Sequence, residues 1–270
     1  MPELPEVETV ARQLAPALTG RRVVAVQVFD PKIDPASLEP LIGRTITAVR
    51  RIGKQVGIGF SQPGIPEAGP WLCIHLRMTG RLAWVPDCRQ PPVAPLRVRF
   101  RLDRGALLFH DTRRFGTLTL YPTLRDATPA GIDPTGRAFT PARLAAWLAQ
   151  SASPIKVWLM RQDRLVGLGN IYVSEALHRA GIHPARPARS LSFDEAARLH
   201  KALRLILRSA IRCGGTTIFN FENAVGAAGQ FQRRLRVYGR EGDPCARCRT
   251  PIQRLVQQQR STFFCPTCQH

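Results

Sequence analysis

The sequence has few lysines, few acidic residues and no long hydrophobic segment. No run of apolar residues approaches the roughly 18 that a membrane span needs, and no charged start followed by an apolar stretch resembles a secretion signal. These absences predict a cytoplasmic protein without a membrane partner. Acidic side chains number 19 against 39 basic ones, so the 270-residue chain carries a net charge of +20.

The strong positive charge points to a polyanionic partner, most often nucleic acid. A ribosome-bound protein, or one that is merely rich in arginine, is the alternative on charge alone. Only four of the basic residues are lysine, at positions 32, 54, 156 and 201. Lysine can lose its proton and arginine cannot, so each of these lysines is a candidate for chemistry that arginine cannot perform.

The seven cysteines do not form the pattern of a disulfide framework. Four of them lie in two Cys-x2-Cys pairs with sixteen residues between the pairs: Cys245, Cys248, Cys265 and Cys268. This spacing is typical of a four-thiolate zinc site. Because protein side chains fill all four positions, we expect one structural Zn²⁺ with no open position for catalysis. The other three cysteines are expected to be ordinary thiols: Cys73, Cys88 and Cys213.

The stretch from residue 22 to residue 121 is predicted to form an antiparallel β-sandwich or barrel. Short apolar or alternating runs recur there, divided by glycine, proline and aspartate. The predicted strands are 23–29, 46–52, 55–60, 71–76, 81–85, 96–102, 106–110 and 117–121. In strand 96–102, alternation places Arg97, Arg99 and Arg101 on the outer face. That face is expected to be solvated or, alternatively, to lie against a phosphate backbone.

The second half of the chain is predicted to be helical up to about residue 230. Residues 122–140 contain several prolines and no sustained periodicity, which predicts a linker. Helices are predicted over 141–150, from 153, over 171–180, and from a capping box at 192–195 up to the glycines at 214 and 215. On the last helix, Arg204, Arg208 and Arg212 recur every four residues, as a solvated face or an outer DNA contact.

The first nine residues combine proline with acidic neighbours. If Met1 is removed, Pro2 carries a secondary amine that is far less protonated near neutrality than a lysine and can form an iminium with a carbonyl-like carbon. Glu3 lies beside it, and Glu6 follows one turn later on the same face of a helix, which suggests acid/base work on a sugar or an imine. The same residues also make an ordinary amphipathic helix start, with Pro5 in its first turn.

Several short motifs, the first of them Pro2-Glu-Leu-Pro-Glu-Val-Glu-Thr9, resemble those of the formamidopyrimidine-DNA glycosylases. Residues 2–9 closely resemble the N-terminus of that family, whereas the related endonuclease VIII branch typically has glycine where this chain has Leu4. The other similar stretches are Arg51-Ile-Gly-Lys54, His75-Leu-Arg-Met-Thr-Gly80, Asp111-Thr-Arg-Arg-Phe-Gly116, Gly167-Leu-Gly-Asn-Ile-Tyr-Val-Ser-Glu-Ala-Leu177 and Gln259-Arg-Ser-Thr-Phe-Phe-Cys265. Together they span nearly the whole chain.

The resemblance implies a set of catalytic residues. Pro2 would attack the anomeric carbon of the damaged nucleotide's sugar, with Glu3 assisting ring opening or protonation and Glu6 in support. Lys54 matches a family lysine that contacts the sugar and phosphate of the lesion and assists elimination. Arg260 matches the arginine at the tip of the zinc ribbon that binds the lesion phosphates and is linked to the second elimination.

The resemblance also implies a set of DNA contacts. Met78 matches the methionine inserted where the damaged nucleotide has left the duplex, Arg113 the arginine that faces the orphaned cytosine, and Phe115 the wedge in the base stack. Apolar wedges beside cations suit a kinked duplex, since unstacking must be offset by new contacts. Asn170 matches the residue of a helix-two-turn-helix motif that holds the flanking phosphates, and Lys156 a lysine that reaches the DNA from the preceding helix.

Two stretches depart from the family pattern. The loop 216–231 resembles the segment that closes over the flipped base, but Phe219 stands where a basic residue is usual and Asn220 where an acid follows. This departure leaves the preference for particular lesions open. At Pro95-Leu-Arg97, family members commonly carry a histidine-rich stretch that contacts DNA.

Together these observations predict an α+β protein of several domains. We expect an N-terminal helix and antiparallel β-sandwich over 1–121, a linker over 122–140, a helical helix-two-turn-helix domain over 141–230 with the capping loop 216–231, and a four-cysteine β-ribbon zinc finger over 231–270. The predicted function is a bifunctional DNA glycosylase and apurinic/apyrimidinic lyase of base excision repair. It would act as a monomer in the bacterial cytosol or nucleoid on double-stranded DNA that contains 8-oxoguanine or formamidopyrimidines.

Two alternatives follow from the same sequence. The first is an endonuclease VIII-like enzyme that prefers oxidised pyrimidines. The second is a non-catalytic zinc-ribbon protein that only binds damaged or bent DNA.

Overall fold

The structure, a computed structural model, describes residues 1–62, 69–87, 95–217, 224 and 226–270. Its contacts divide the chain into two compact units. The first unit comprises Met1–Pro129 and Cys213–Gln230, and the second comprises Ala130–Arg212 and Phe231–His270. Residues 213–230, which the sequence assigns to the helical domain, thus lie with the N-terminal half. The domain bounds expected from the sequence stay a prediction.

Eight strands of the first unit form two four-stranded antiparallel sheets. The strands are β1 (Val23–Val28), β2 (Ile46–Ile52), β3 (Gln55–Phe60), β4 (Trp71–His75), β5 (Gly80–Val85), β6 (Leu96–Leu102), β7 (Ala106–Asp111) and β8 (Thr117–Tyr121). One sheet has the order β1-β6-β7-β5 and the other β2-β3-β4-β8. All eight predicted strands are present with ends that differ by at most one residue, and the predicted antiparallel architecture is confirmed.

A helix, α1 (Leu4–Leu18), opens the first unit and packs chiefly against β2. Pro5 occupies its first turn, where the missing N–H of proline costs no hydrogen bond. Apolar residues at spacings of three and four give α1 one buried face: Val7, Val10, Ala11, Leu14 and Leu18. The predicted amphipathic helix is therefore present, and its N-terminal end carries Pro2 and Glu3.

The first unit has one large apolar core to which α1 and both sheets contribute. Phe60 of β3, Leu72 of β4, Phe100 of β6 and Phe109 of β7 are each at most 2% exposed. Full burial of a side chain of this size stabilises a fold by about 1.5–3 kcal/mol relative to exposure. The core therefore holds in place the strand ends that carry the loops of the candidate site.

The prediction of a solvated arginine face on β6 was wrong for two of its three arginines. Arg97 is 4% exposed and Arg99 is 8% exposed, whereas Arg101 is exposed. Arg97 is buried because it has acidic partners, Asp30 and Asp111. Arg99 packs its guanidinium over an aromatic ring. Alternation along a strand assigns each residue to a face but does not indicate what covers that face.

Helices dominate the second unit. The chain forms α2 (Leu124–Ala127) at the end of the first unit, then α3 (Pro141–Leu148), α4 (Ile155–Leu159), α5 (Asn170–Ala180) and α6 (Phe193–Arg212). The predicted capping box starts α6: the amide of Glu195 donates to Ser192 Oγ at 3.2 Å, and the amide of Ser192 donates to Glu195 Oε2 at 2.9 Å. Within the described residues, no helix combines the length and hydropathy that a membrane crossing requires.

The segment 122–140 contains folded elements as well as connecting chain. Besides α2, the amide of Ile132 donates to Arg164 O at 2.9 Å. Phe139 is 1% exposed and its ring centre lies 4.5 Å from that of His200 on α6. The later part of this segment is therefore anchored to the second unit.

The C-terminal residues form a two-stranded ribbon, as predicted. Its strands are β9 (Gln253–Gln257) and β10 (Arg260–Phe264), which pair antiparallel with Gln257 opposite Arg260. Gln258 and Gln259 form the tip with positive φ angles of 46° and 59°, the left-handed conformation that a tight hairpin turn needs. The turn places Arg260 at the tip.

Candidate functional site

The amino terminus lies within the first unit, with Pro2 and Glu3 buried. Glu6 is 2% exposed, and each of its carboxylate oxygens accepts a hydrogen bond from a backbone amide. The amide of Glu3 donates to Oε2 at 2.8 Å, and the amide of Thr216 donates to Oε1 at 2.7 Å. Glu6 therefore ties the start of α1, next to Pro2, to a turn 210 residues later in the sequence.

Gly215 allows the backbone to approach Glu6 this closely. Its φ is +83°, and a Cβ built on it would lie 2.8 Å from Glu6 Oε1. Any other residue would strain the backbone and displace the carboxylate. The glycine that the sequence predicts as a helix stop thus also shapes the surroundings of the amino terminus.

Lys54 lies in the turn between β2 and β3, beside the start of the loop that carries Met78. The pairing of Gln55 with His75 brings these segments side by side. Burial, with the positive charges of Arg77 and Lys54, lowers the pKa of His75 to about 4. His75 is therefore neutral at pH 7, and its Nδ1 accepts a hydrogen bond from the amide of Arg77 at 3.1 Å.

Two neighbouring loops of the first unit present exposed apolar side chains next to a cation. Met78 is 44% exposed in the turn between β4 and β5, and Phe115 is 52% exposed in the loop after β7. The guanidinium of Arg113 lies 4.7 Å from the ring centre of Phe115. The loops touch, since the amide of Arg113 donates to Thr79 Oγ1 at 3.1 Å. The structure thus brings together the three residues predicted to enter a duplex.

Asp111 joins these two loops from the protein interior, where it is fully buried. Its Oδ1 accepts a hydrogen bond from the hydroxyl of Thr79, and its Oδ2 accepts one from the amide of Gly116 at 2.7 Å. Arg97 pairs with Asp111 and with Asp30, and it donates to Gly116 O at 2.6 Å. We call Asp30, Arg97 and Asp111 the buried ion cluster; it fixes where both loops begin.

In the second unit, Asn170 and Arg260 lie close to each other through Ser261. Asn170 is the first residue of α5, and its Nδ2 donates to Ser261 O at 2.8 Å. Arg260 precedes Ser261 in the ribbon and is exposed. An amide nitrogen carries a second hydrogen, and the start of α5 carries partial positive charge. This arrangement can bind a phosphate group.

The turn that leads into α5 is ordered by Gln162. The amide of Gly167 donates to Gln162 Oε1 at 2.9 Å, and Gln162 Nε2 donates to Leu168 O at 3.1 Å. Gly169 then precedes the helix in an extended conformation. Lys156, by contrast, is 1% exposed on α4. So deep a side chain offers little surface to a DNA backbone, and its contact with DNA stays a prediction.

The four predicted zinc ligands converge. The sulfur atoms of Cys245, Cys248, Cys265 and Cys268 all lie within 4.8 Å of one another. The separations are 4.0 Å between Cys245 Sγ and Cys268 Sγ and 3.5 Å between Cys248 Sγ and Cys265 Sγ. Zn–S bonds of about 2.3 Å in a tetrahedron place sulfur atoms about 3.8 Å apart, so the cluster fits one structural Zn²⁺.

The zinc knuckles are anchored to α5 and the turn after it. His178 Nε2 lies 3.5 Å from Cys245 Sγ, close enough for its N–H to donate a hydrogen bond to the thiolate. Gln269 Oε1 accepts from the amide of Cys265 at 2.9 Å, while Gln269 Nε2 donates to Ile182 O at 2.8 Å. The helix that begins with Asn170 and the ribbon that carries Arg260 are therefore both attached to the four-cysteine cluster.

Sequence reasoning assigned no role to two buried groups near the site. Glu175 on α5 is 3% exposed and accepts hydrogen bonds from three successive amides, those of Arg236, Val237 and Tyr238. An acid on the apolar face of α5 was the available signal. No local pattern signalled the buried ion cluster, because Asp30 lies 67 residues from Arg97.

Some of the predicted features lie outside the described residues. Phe219 and Asn220, on which the departure in the capping loop rests, are among them, and so is Cys88. The described ends of the loop are nevertheless joined, since the amide of Gly229 donates to Thr217 Oγ1 at 2.9 Å.

Comparison with protein families identifies three matching domains in the same order along the chain. The formamidopyrimidine-DNA glycosylase N-terminal domain matches residues 1–118, and the formamidopyrimidine-DNA glycosylase H2TH domain matches residues 130–222. A zinc finger found in FPG and IleRS matches residues 242–270.

Relatives in sequence agree with this assignment along the full chain. A formamidopyrimidine-DNA glycosylase of Laribacter hongkongensis is 41% identical, and one of Chloroflexus aggregans 42%. The alignments cover all of this chain and 100% and 98% of those proteins.

Solved structures show the same fold. A Lactococcus lactis FPG variant in complex with Fapy-dG-containing DNA has a TM-score of 0.90 at 32% identity, with both chains fully covered. The MutM (FPG) protein of Thermus thermophilus has a TM-score of 0.86 at 39% identity over 99% of this chain and 98% of that one. The predicted fold class and the resemblance are confirmed: the chain belongs to the formamidopyrimidine-DNA glycosylase family.

Proposed function

We propose that this protein is a bifunctional DNA glycosylase and apurinic/apyrimidinic lyase of base excision repair that removes oxidised purines from double-stranded DNA. Membership of the family carries this proposal, together with solved relatives bound to Fapy-dG-containing and abasic-site DNA. We expect the protein to act as a monomer in the bacterial cytosol or nucleoid. Cys245, Cys248, Cys265 and Cys268 would hold one structural Zn²⁺, which would stabilise the ribbon and leave no open position for chemistry.

The reaction starts at Pro2 once Met1 is removed. The secondary amine attacks C1′ of the damaged nucleotide, the bond to the base breaks, and the base leaves with a proton. Glu3 assists opening of the sugar ring, which leaves an iminium between Pro2 and C1′. Proton loss from C2′ then expels the 3′ phosphate, and a second elimination expels the 5′ phosphate, with Lys54 and Arg260 near the phosphates.

The hydrogen bonds of Glu6 support this mechanism. Its carboxylate is held by the amides of Glu3 and Thr216, so it is a positioning residue that fixes the backbone around Pro2. Met78, Arg113 and Phe115 would fill the space left by the flipped nucleotide, since two of them are exposed apolar groups beside a cation.

Borohydride reduction tests the nucleophile. Protein mixed with an 8-oxoguanine duplex and borohydride should form a covalent adduct whose linkage maps to Pro2, because reduction converts an iminium into a stable amine. Blocking the amino terminus should abolish the adduct, and intact-mass measurement should find Met1 absent. No adduct, or an adduct that survives the block, would refute the assignment.

Activity on oxidised pyrimidines is the second candidate. A solved complex of the wild-type Lactococcus lactis FPG contains an oxidised pyrimidine, and Phe219 stands where the family usually has a basic residue. Excision rates on matched 8-oxoguanine and thymine glycol duplexes separate the two. A faster rate on thymine glycol would favour the second candidate, and binding without excision would favour a non-catalytic protein.

A further inference from the structure

A cavity of about 690 Å³ lies in the second unit between α5, α6 and the first zinc knuckle. Five arginines contribute to its lining: Arg179, Arg212, Arg234, Arg236 and Arg247. Arg179 lies nine residues along α5 from Asn170, which is about 13 Å at the rise of an α-helix. The cavity is therefore separate from the phosphate site at the start of that helix.

None of these arginines forms an ion pair with a carboxylate in the described part of the chain. Arg234 Nη1 donates to Ser209 Oγ at 3.3 Å, and Arg247 Nη2 donates to the backbone oxygen of Arg179 at 3.0 Å. Both acceptors are neutral, so the positive charges around the cavity are not balanced by them.

The acid in the lining, Glu175, is engaged by the backbone. Both of its oxygens accept hydrogen bonds from amides at positions 236 to 238, between 2.9 and 3.0 Å. A buried carboxylate held in this way has little capacity left to bind a guanidinium. The lining thus has five arginines against one carboxylate, so positive charge remains in excess even though the charge of Arg236 acts on Glu175.

Like charges around one cavity repel each other, and a multivalent anion removes that repulsion. We infer that the cavity binds a chain of consecutive phosphates, since guanidinium forks match phosphate oxygens in pairs. The chain comes from a free polyphosphate or from a DNA strand that runs outside the lesion site. The inference does not depend on the proposed excision activity.

Calorimetric titration of the zinc-loaded full-length protein with tripolyphosphate tests the site. One equivalent should bind, and Arg212→Gln or Arg234→Gln should each weaken binding about tenfold, the effect of losing one charge-assisted hydrogen bond. Arg198→Gln is the matched control, because Arg198 is an exposed residue of the same helix that does not line the cavity. Zinc content and unfolding temperature establish that each variant is folded.

Duplex binding at several salt concentrations identifies the source of the phosphates. If a DNA strand occupies the cavity, Arg212→Gln should reduce the salt slope by about 1 on a long duplex and not on a short one. If a free anion occupies it, the slope should not change while tripolyphosphate binding is weakened about tenfold. Absence of both effects, or equal losses in Arg198→Gln, would overturn the inference.

Discussion

His75 is the residue that links pH to the loop carrying Met78. Its ring is neutral because burial and two nearby cations lower its pKa to about 4, and its Nδ1 accepts the amide of Arg77. Arg77 has a φ of 53°, so this bond holds a left-handed residue in place. A single histidine therefore supports the turn that presents Met78.

We expect acid to weaken the first unit through His75. In the unfolded chain His75 binds a proton below about pH 6.5, whereas in the folded chain it binds one only below about pH 4. Stability therefore falls as the pH drops from 6.5 to 4. Between pH 7 and pH 5 the free energy of unfolding of the wild type should fall by about 1 kcal/mol more than that of His75→Gln. This figure allows for solvent screening of a half-buried ring. Urea unfolding at both pH values measures the difference, and equal losses would contradict it.

At the level of strands and loops, the buried ion cluster is the feature that sequence patterns could not supply. Strand ends were predictable because glycine, proline and aspartate divide the apolar runs, and α6 was predictable from its capping box. In the sequence Arg97 could not be told apart from Arg101, because strand alternation assigns both to the same face of β6. What separates them is Asp30 and Asp111, which only the folded chain brings to Arg97.

Arg97→Met should destabilise the first unit strongly. It leaves Asp30 and Asp111 buried with one cation fewer, and breaking such a pair costs about 3–5 kcal/mol. Arg101→Met, at an exposed position of the same strand, should change stability by less than about 0.5 kcal/mol. Chemical denaturation of both variants provides the comparison, and a small effect at Arg97 would show that the cluster does not hold the fold.

The zinc ribbon was predictable as a metal site, but not in its attachment to α5. The Cys-x2-Cys spacing identifies the ligands. Their attachment depends on contacts between residues far apart in the sequence: His178 of α5 with Cys245, 67 residues away, and Gln269 with Ile182, 87 residues away. Pro2, Glu3 and Glu6 could be singled out from their chemistry, whereas the roles of Lys54, Arg260 and the DNA-contacting residues could be named only from the family resemblance. Glu175 and Thr216 act through hydrogen bonds to distant backbone groups, which leave no pattern in the sequence.

Loss of zinc should release Arg260 from its position beside Asn170. Cys248→Ser should bind less than one equivalent of zinc and should lose affinity for lesion-containing duplex, because the ribbon then lacks its base. Cys213→Ser, at a cysteine outside the cluster, should retain both. Metal analysis and fluorescence anisotropy give the two readouts; unchanged affinity in a zinc-free variant would show that the ribbon is not needed for binding.

For the whole molecule, the net charge of +20 should make DNA binding strongly dependent on salt. Each phosphate contact that is lost lowers the slope of log K against log salt, so Arg260→Gln should reduce it by about 1. Arg125→Gln, an exposed change on α2, is expected to leave the slope unaltered. Anisotropy titrations at several salt concentrations measure the slopes, and equal slopes for all three proteins would remove Arg260 from the phosphate contacts.

The bond between Glu6 and the amide of Thr216 has a consequence for synthesis of the chain. Residues 2–6 leave the ribosome first, yet the carboxylate beside them gains its second donor only after some 210 further residues have been made. A nascent or truncated N-terminal half thus carries the amine proposed as the nucleophile without the second hydrogen bond to Glu6. If Glu6 positions Pro2 as proposed, the surroundings of that amine are complete only after the polypeptide has been synthesised beyond Thr216.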